Sequence, residues 1–263
     1  MGLAGNGREV RSPDDAGVRS LYVEPERPRD QLDWPALQFH DVFKIYRSGP
    51  VETVALRGLE LRVEHGELVA VLGPSGSGKS TMLALAAALD VPSAGEVRAG
   101  ELSLGMLDED ALARYRARDV AVVLQSGNLW PALTGHENIV VSLRLAGHEQ
   151  PDRAADEALG FFGLGGRARQ RAGTLSGGEQ QRVAVAAAAA KRPGLVLADE
   201  PTAELDSVNE DKVLAALRDL REHFATTVLV VTHSARVAER ADRVLEMRDG
   251  AAVPESSNAS TGP

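Results

Sequence analysis

Apolar positions along the chain gather into short unbroken runs separated by longer mixed stretches. LQFHDVFKIY (37–46) and LELRVEHGELVAVLG (59–73) have strand composition, and the second turns at Gly66 and ends in the continuous apolar run of a buried strand. VAVVLQ (120–125), LVLADE (195–200), TVLVVTH (227–233) and RVLEMRDG (243–250) are further runs of strand length. They alternate with helix formers, most clearly KSTMLALAAAL after the second run, which predicts a largely parallel α/β core. From about 134 to 190 no comparable run occurs, so this stretch predicts a helical subdomain inserted into the core and broken by Gly163, Gly165 and Gly166. Residues 1 to about 35 and the closing PESSNASTGP lack apolar periodicity and are expected to be tails.

Composition narrows the class. An apolar content of 43% over 263 residues is enough for a sizeable core. Acidic residues outnumber basic ones by 38 to 29, a net charge of −9, which argues against non-specific attraction to nucleic acid or anionic lipid. With no cysteine there is no disulfide framework, thiolate metal site or thiol nucleophile. The opening MGLAGNGREVRSPDD lacks the apolar segment of about 7 to 15 residues that marks a secretory signal, and Asn6 spoils a myristoylation match, so the chain is expected to stay inside. The longest fully apolar run, Val183 to Ala190, falls far short of the about 18 residues of a membrane span. Work at a membrane would need another chain to cross it.

Three segments carry chemistry. In GPSGSGKST (Gly73, Pro74, Ser75, Gly76, Ser77, Gly78, Lys79, Ser80, Thr81), glycines let backbone N–H groups turn inward around phosphate oxygens between a strand and a helix. Lys79 would reach the β and γ phosphates, and the Ser80 hydroxyl would hold Mg²⁺. LVLADE ends a strand with Asp199 and Glu200, where parallel-sheet geometry brings carboxylates beside such a loop. Asp199 can then hold Mg²⁺ while Glu200 orients or deprotonates an attacking water. In TLSGGEQQRVAVA, Ser176 can cap a helix whose paired glycines, Gly177 and Gly178, expose N–H groups: either an ordinary capped helix start or a second anion site about 100 residues after the first.

Taken in order, GPSGSGKST, Gln125, LSGGEQQR, LVLADEP, AELD and His233 resemble an ABC transporter ATPase over about residues 37 to 250. The resemblance implies a P-loop α/β fold with a mostly parallel core sheet, an antiparallel β subdomain and a helical subdomain at about 126–190. The cassette itself would span 36–251, between tails at 1–35 and 252–263. It implies ATP and Mg²⁺ as ligands and two subunits facing head to tail. Ser176, Gly177, Gly178 and Glu179 of one chain would then complete the ATP site of the other. Glu200 matches the catalytic carboxylate, His233 the histidine that contacts the γ phosphate, and Gln125 the residue that joins Mg²⁺ to the transport subunit. Asp206 matches the loop through which the two sites sense each other. Tyr46 corresponds to the aromatic that stacks on adenine, its alternative being a core position like Phe39 or Phe43.

The segments KIYRSGPVETVALRGLELRVEHGELVAVLGPSGSGKST, LDVPSAGEV and NLWPALTGHENI are most similar to the lipoprotein-releasing, macrolide-exporting and cell-division members of that family. The expectation is an ATP-hydrolysing subunit at the cytoplasmic face of the membrane, peripheral through a polytopic membrane partner, and paired with a second cassette. Leu129, Trp130 and Leu133 are expected to form an apolar socket for that partner, against ordinary core packing. Ala187 stands where relatives usually carry arginine, and SGN follows Gln125 where an aromatic is frequent. The alternative is a soluble ABC ATPase acting on DNA or ribosomes, for which the chain offers no basic stripe, long coiled coil or zinc cysteines.

Overall fold

The computed structural model describes residues 34–253. Expectations for residues 1–33 and 254–263 lie outside the described residues. In chain order the elements are β1 (Leu37–Ser48), β2 (Val51–Val63), β3 (Leu68–Leu72), α1 (Lys79–Ala86), β4 (Ala94–Ala99), β5 (Leu102–Ser103), α2 (Glu109–Arg118), β6 (Val120–Val123), α3 (Gly135–Leu145), α4 (Pro151–Phe161), α5 (Gly177–Lys191), β7 (Leu195–Asp199), α6 (Ser207–Phe224), β8 (Thr227–Val231), α7 (Ala235–Ala238), β9 (Arg243–Arg248) and β10 (Ala251–Val253).

Two sheets result. The larger runs β10-β9-β3-β8-β7-β6, parallel from β9 to β6, with β10 antiparallel at its edge. Its central strands are buried on both faces, which explains their unbroken apolar sequence. In β7 and β8, Val196, Ala198, Val228 and Val230 face a cluster shared with the helical subdomain and α6. The alternate residues Leu195, Leu197, Leu229 and Val231 face a second cluster with α1, α2 and the smaller sheet. That smaller sheet, β2-β1-β4-β5, is antiparallel and packs Leu37, Phe39, Leu56 and Val97 into the second cluster.

Three boundaries differ from the sequence reading. β2 begins at Val51, not near Leu59; its first residues are exposed or half-buried and it bends at Gly58 (φ +65), which blurred the alternation. Ala252 and Val253 pair with Met247 and Glu246, so the folded chain runs past 251. Pro35 is buried, and Trp34 lies 4.1 Å from the Arg98 guanidinium, so packed structure begins before the expected edge at 36. The three helices α3, α4 and α5 occupy the stretch between β6 and β7, as the missing strand pattern implies.

Candidate functional site

Strand order brings the chemistry together. β8 lies between β3 and β7, with Val71 paired to Val231 and Val231 to Asp199, so three parallel strands end side by side. Beyond those ends follow the loop of Gly73–Gly78, the Asp199–Glu200 pair, and His233. β6, next in the sheet, ends before Gln125.

Glycine is required at two points of the loop. A Cβ on Gly73 would come within 2.3 Å of the Met247 carbonyl. One on Gly78, whose φ is +97°, would come within 2.6 Å of the Ala55 carbonyl. Gly78 is also the N-cap of α1, so the loop's amides and the positive end of the helix are available to an anion. Lys79, almost wholly buried, donates to the carbonyls of Gly73 (2.7 Å) and Pro74 (2.9 Å), curling its ammonium over the cradle. The Ser77 hydroxyl is buried with no hydrogen-bond partner among the described residues, an orphan that suits a polar ligand.

Ser80, one residue into α1, bonds through its side chain to Asp199. Burial pushes the Asp199 carboxyl above its usual range, with the neighbouring Glu200 charge adding to the effect; the Ser80 bond and the Lys79 ammonium oppose it. Ser80 and Asp199 offer oxygen donors only, the set suited to a hard divalent cation such as Mg²⁺. Glu200 sits in the left-handed region, φ +46, with its N–H donating to the Val231 carbonyl at 2.9 Å. That backbone costs about 1 kcal/mol or more and aims the carboxylate at His233. Glu200 Oε1 lies 2.8 Å from His233 Nδ1, and Oε2 accepts from the His233 N–H at 3.3 Å.

Gln125 is turned to Glu204, Nε2 to Oε1 at 3.1 Å, and is not bonded to Ser80 or Asp199 in this conformation. Its loop is held by residues that sequence reasoning did not single out. Asn128 both donates to and accepts from the Leu124 backbone, and the buried Gln181 of α5 donates to the Leu124 carbonyl at 2.7 Å. Polar residues in a loop and on a helix give no signal of such pairing until the two are folded together.

The start of α5 is a capping box: Ser176 Oγ accepts from the Glu179 N–H, and the Glu179 carboxylate accepts from the Ser176 N–H at 2.9 Å. The bond from the Ser176 N–H above all, then the Ser176 hydroxyl and the charges of Arg167 and Arg182, hold the Glu179 carboxyl below its usual range. Ser176 and Gly177 are exposed, whereas Gly178 is buried so tightly that a Cβ would meet the Asn209 side chain at 2.7 Å. Asp206, the N-cap of α6, accepts from the N–H groups of Val208 and Asn209 and from Asn209 Nδ2. A cleft of about 260 Å³ brings Gln125, Gly177 and Glu204 to one opening.

Tyr46 is 42% exposed, which removes the core alternative. It pairs with Thr53 across the β1–β2 ladder, two residues along β2 from the Ala55 carbonyl that abuts Gly78. A separate groove of about 550 Å³ between the core and the helical subdomain is lined by Leu129, Trp130, Ala187 and Lys191. Leu133 departs from the expected socket: it is half-buried, outside the groove, and its carbonyl accepts from Ala172.

A phosphate loop after β3, an acid pair at the end of β7 and a histidine after β8 between them, all at the same ends of parallel strands, define a P-loop nucleoside triphosphatase. Residues 56–203 match the ABC transporter family, and the chain belongs to that family, as an ATP-binding and ATP-hydrolysing cassette. It is 45% identical over 231 residues to the lipoprotein-releasing system ATP-binding protein LolD of Anaeromyxobacter dehalogenans, covering 87% of this chain and 97% of that one. It is 40% identical over 218 residues to the macrolide export ATP-binding/permease protein MacB of Rhodopirellula baltica, covering 81% of this chain but 32% of that longer protein. A dimeric ATP-binding cassette solved in a post-hydrolysis state with ADP and Pi superposes with a TM-score of 0.75 at 38% identity, covering 82% of this chain and 96% of that one. These relatives favour a transporter-powering ATPase over a cassette acting on DNA or ribosomes.

Proposed function

We propose that two cassettes meet head to tail and hydrolyse ATP between the Gly73–Thr81 loop of one and the Ser176–Glu179 helix start of the other. The observation that carries this reading is the Glu200–His233 bond of 2.8 Å at the strand ends that also bear the phosphate loop. Glu200 accepts a proton from the water attacking the γ phosphate, and His233 contacts that phosphate and keeps the carboxylate aimed. Lys79 leaves its two loop carbonyls for the β and γ phosphates, while the loop amides bind their oxygens. Tyr46 stacks on the adenine.

Ser80, Asp199 and Gln125 would hold Mg²⁺, which when bound offsets phosphate charge as the water approaches. Gln125 must release Glu204 to join them, and Asp206, on the same connection as Glu204, carries the state of one ATP site to the other. The exposure of Ser176 and Gly177 supports their use by a partner chain, since their own capping bonds leave that surface open.

The groove lined by Leu129 and Trp130 receives a polytopic membrane subunit, which places the cassette at the cytoplasmic face of the membrane. Among the described residues no helix is long and apolar enough to cross a membrane. Likeness to the LolD and MacB proteins supports export or mechanotransmission as the work done. In Glu200→Gln the amide still occupies the site but cannot take a proton. ATP should bind as in the parent, hydrolysis should fall about 10²-fold or more, and ATP-dependent dimers should accumulate in size-exclusion chromatography. Unimpaired hydrolysis would remove Glu200 from the chemistry.

A further inference from the structure

Tyr46 is not a free surface ring. Its phenol donates to Asp90 Oδ2 at 2.9 Å, and the other carboxylate oxygen of Asp90 takes the Lys44 ammonium at 2.5 Å. Lys44, only 8% exposed, also donates to the Val91 carbonyl at 2.8 Å and lies 4.9 Å from the Tyr46 ring centroid. Lys44 and Tyr46 are two apart on β1, hence on one face of that strand. Asp90 stands four residues beyond the end of α1, the helix that begins at Lys79. One carboxylate therefore ties the smaller sheet to the far end of the phosphate-loop helix through the ring and through a buried cation.

We infer that Asp90 is a positioning residue for the nucleotide base, holding the Tyr46 ring between its phenol tether and the Lys44 ammonium so that an adenine can stack without first ordering the ring. The inference rests on the reading of Tyr46 as the adenine platform. An exposed tyrosine normally loses side-chain freedom on binding, and a ring fixed in advance avoids that loss. The hydrogen bonds from Lys44, the Val91 N–H and Tyr46 also outweigh partial burial and keep the Asp90 carboxyl below its usual range, so the tether is charged at neutral pH. Asparagine at 90 removes the charge and replaces one acceptor oxygen with an amide N–H₂, so the phenol and the ammonium no longer each donate to a carboxylate oxygen of their own.

The test measures binding of ATP and of inorganic tripolyphosphate to the full chain by calorimetry, with ATP KM and kcat alongside. Tripolyphosphate fills the loop without touching the ring. Tyr46→Ala should weaken ATP by about tenfold, as loss of one base stack does, and leave tripolyphosphate within twofold. Tyr46→Phe and Asp90→Asn should each weaken ATP by about threefold to fivefold, a fraction of one charge-assisted hydrogen bond, again sparing tripolyphosphate and raising KM more than they lower kcat. In Tyr46→Phe the Asp90→Asn change should cost less than it does in the parent, because the phenol tether is already gone and only the Lys44 ammonium remains to be loosened. If Tyr46→Ala weakens ATP while Tyr46→Phe and Asp90→Asn bind it like the parent, the tether is overturned and the platform stands. If Tyr46→Ala itself binds ATP like the parent, both fall. If Asp90→Asn weakens tripolyphosphate as much as ATP, its effect is a general loss of the loop and the inference is overturned.

Discussion

Tyr115, on α2, places its buried hydroxyl 2.7 Å from the carbonyl of Ala86, the last residue of α1. Burial first, and the nearby Asp119 charge second, push its ionisation far above the usual range, so it remains a donor at any working pH. Tyr115→Phe keeps the ring and strands that carbonyl. A cost of about 1–2 kcal/mol is expected, a fall in Tm of about 2–6 °C for a domain of this size, measured by thermal unfolding at pH 7. A Tm within 1 °C of the parent would show that another group satisfies Ala86. Tyr115 illustrates where sequence reading stops. Gly73, Lys79, Ser80, Asp199 and Glu200 are legible because they end or follow an apolar strand within a dense motif, and His233 through its place in the order of those motifs. Tyr115, Asp90 and Gln181 act on residues 29, 44 and 57 positions away, and nothing local announces those pairings.

At the scale of elements, α5 shows how a motif can be both structural and functional. Its body is so rich in alanine that it packs closely on α3, α4 and α6, and its start depends on the Ser176–Glu179 box. The box was readable from Ser-x-x-Glu spacing; the fit of Gly178 against Asn209 at the start of α6 was not, since it joins two helix starts about 30 residues apart. The Glu179 carboxyl is held low by the Ser176 N–H, so its contribution to stability is present above the ordinary glutamate range and is lost as pH falls through the lowered value. Glutamine at 179 keeps the acceptor but carries no charge at any pH. Wild type is therefore expected to melt above Glu179→Gln at pH 6, with the gap closing between about pH 5 and pH 3. A gap that stays constant over that range would show that the charge of Glu179 has no part in the cap. The start of β2 was not legible because Glu52, Arg57 and Gly58 interrupt the apolar alternation; Glu52 pairs with Arg47 of β1, while Arg57 and Gly58 fall in a break of the register between Leu56 and Leu59.

Across the whole molecule, one sheet serves two bodies. The two faces of β7 and β8 divide between the helical subdomain and the smaller sheet, and the movement proposed for Gln125, just past the end of β6, would take place beside the groove that Leu124, Gly127 and Leu129 line. Trp130 is the residue to test there. It is 55% exposed, and its backbone, not its ring, is what Asn138 holds, through bonds of 2.8 and 3.2 Å. Removing the ring in Trp130→Ala should therefore leave stability within about 0.5–1 kcal/mol and the Gln125 loop in place. If the ring fills a pocket on a membrane subunit, its loss should cost about 2 kcal/mol or more of binding, enough to strip the cassette from its complex at the dilution of a detergent purification. The measurement is the ratio of cassette to polytopic membrane protein in the purified native complex, with the Tm of the isolated variant as the control for folding. An unchanged ratio with an unchanged Tm would separate Trp130 from docking, and the apolar floor formed by Leu129, Val122 and Ala187 would then have to carry the contact without it.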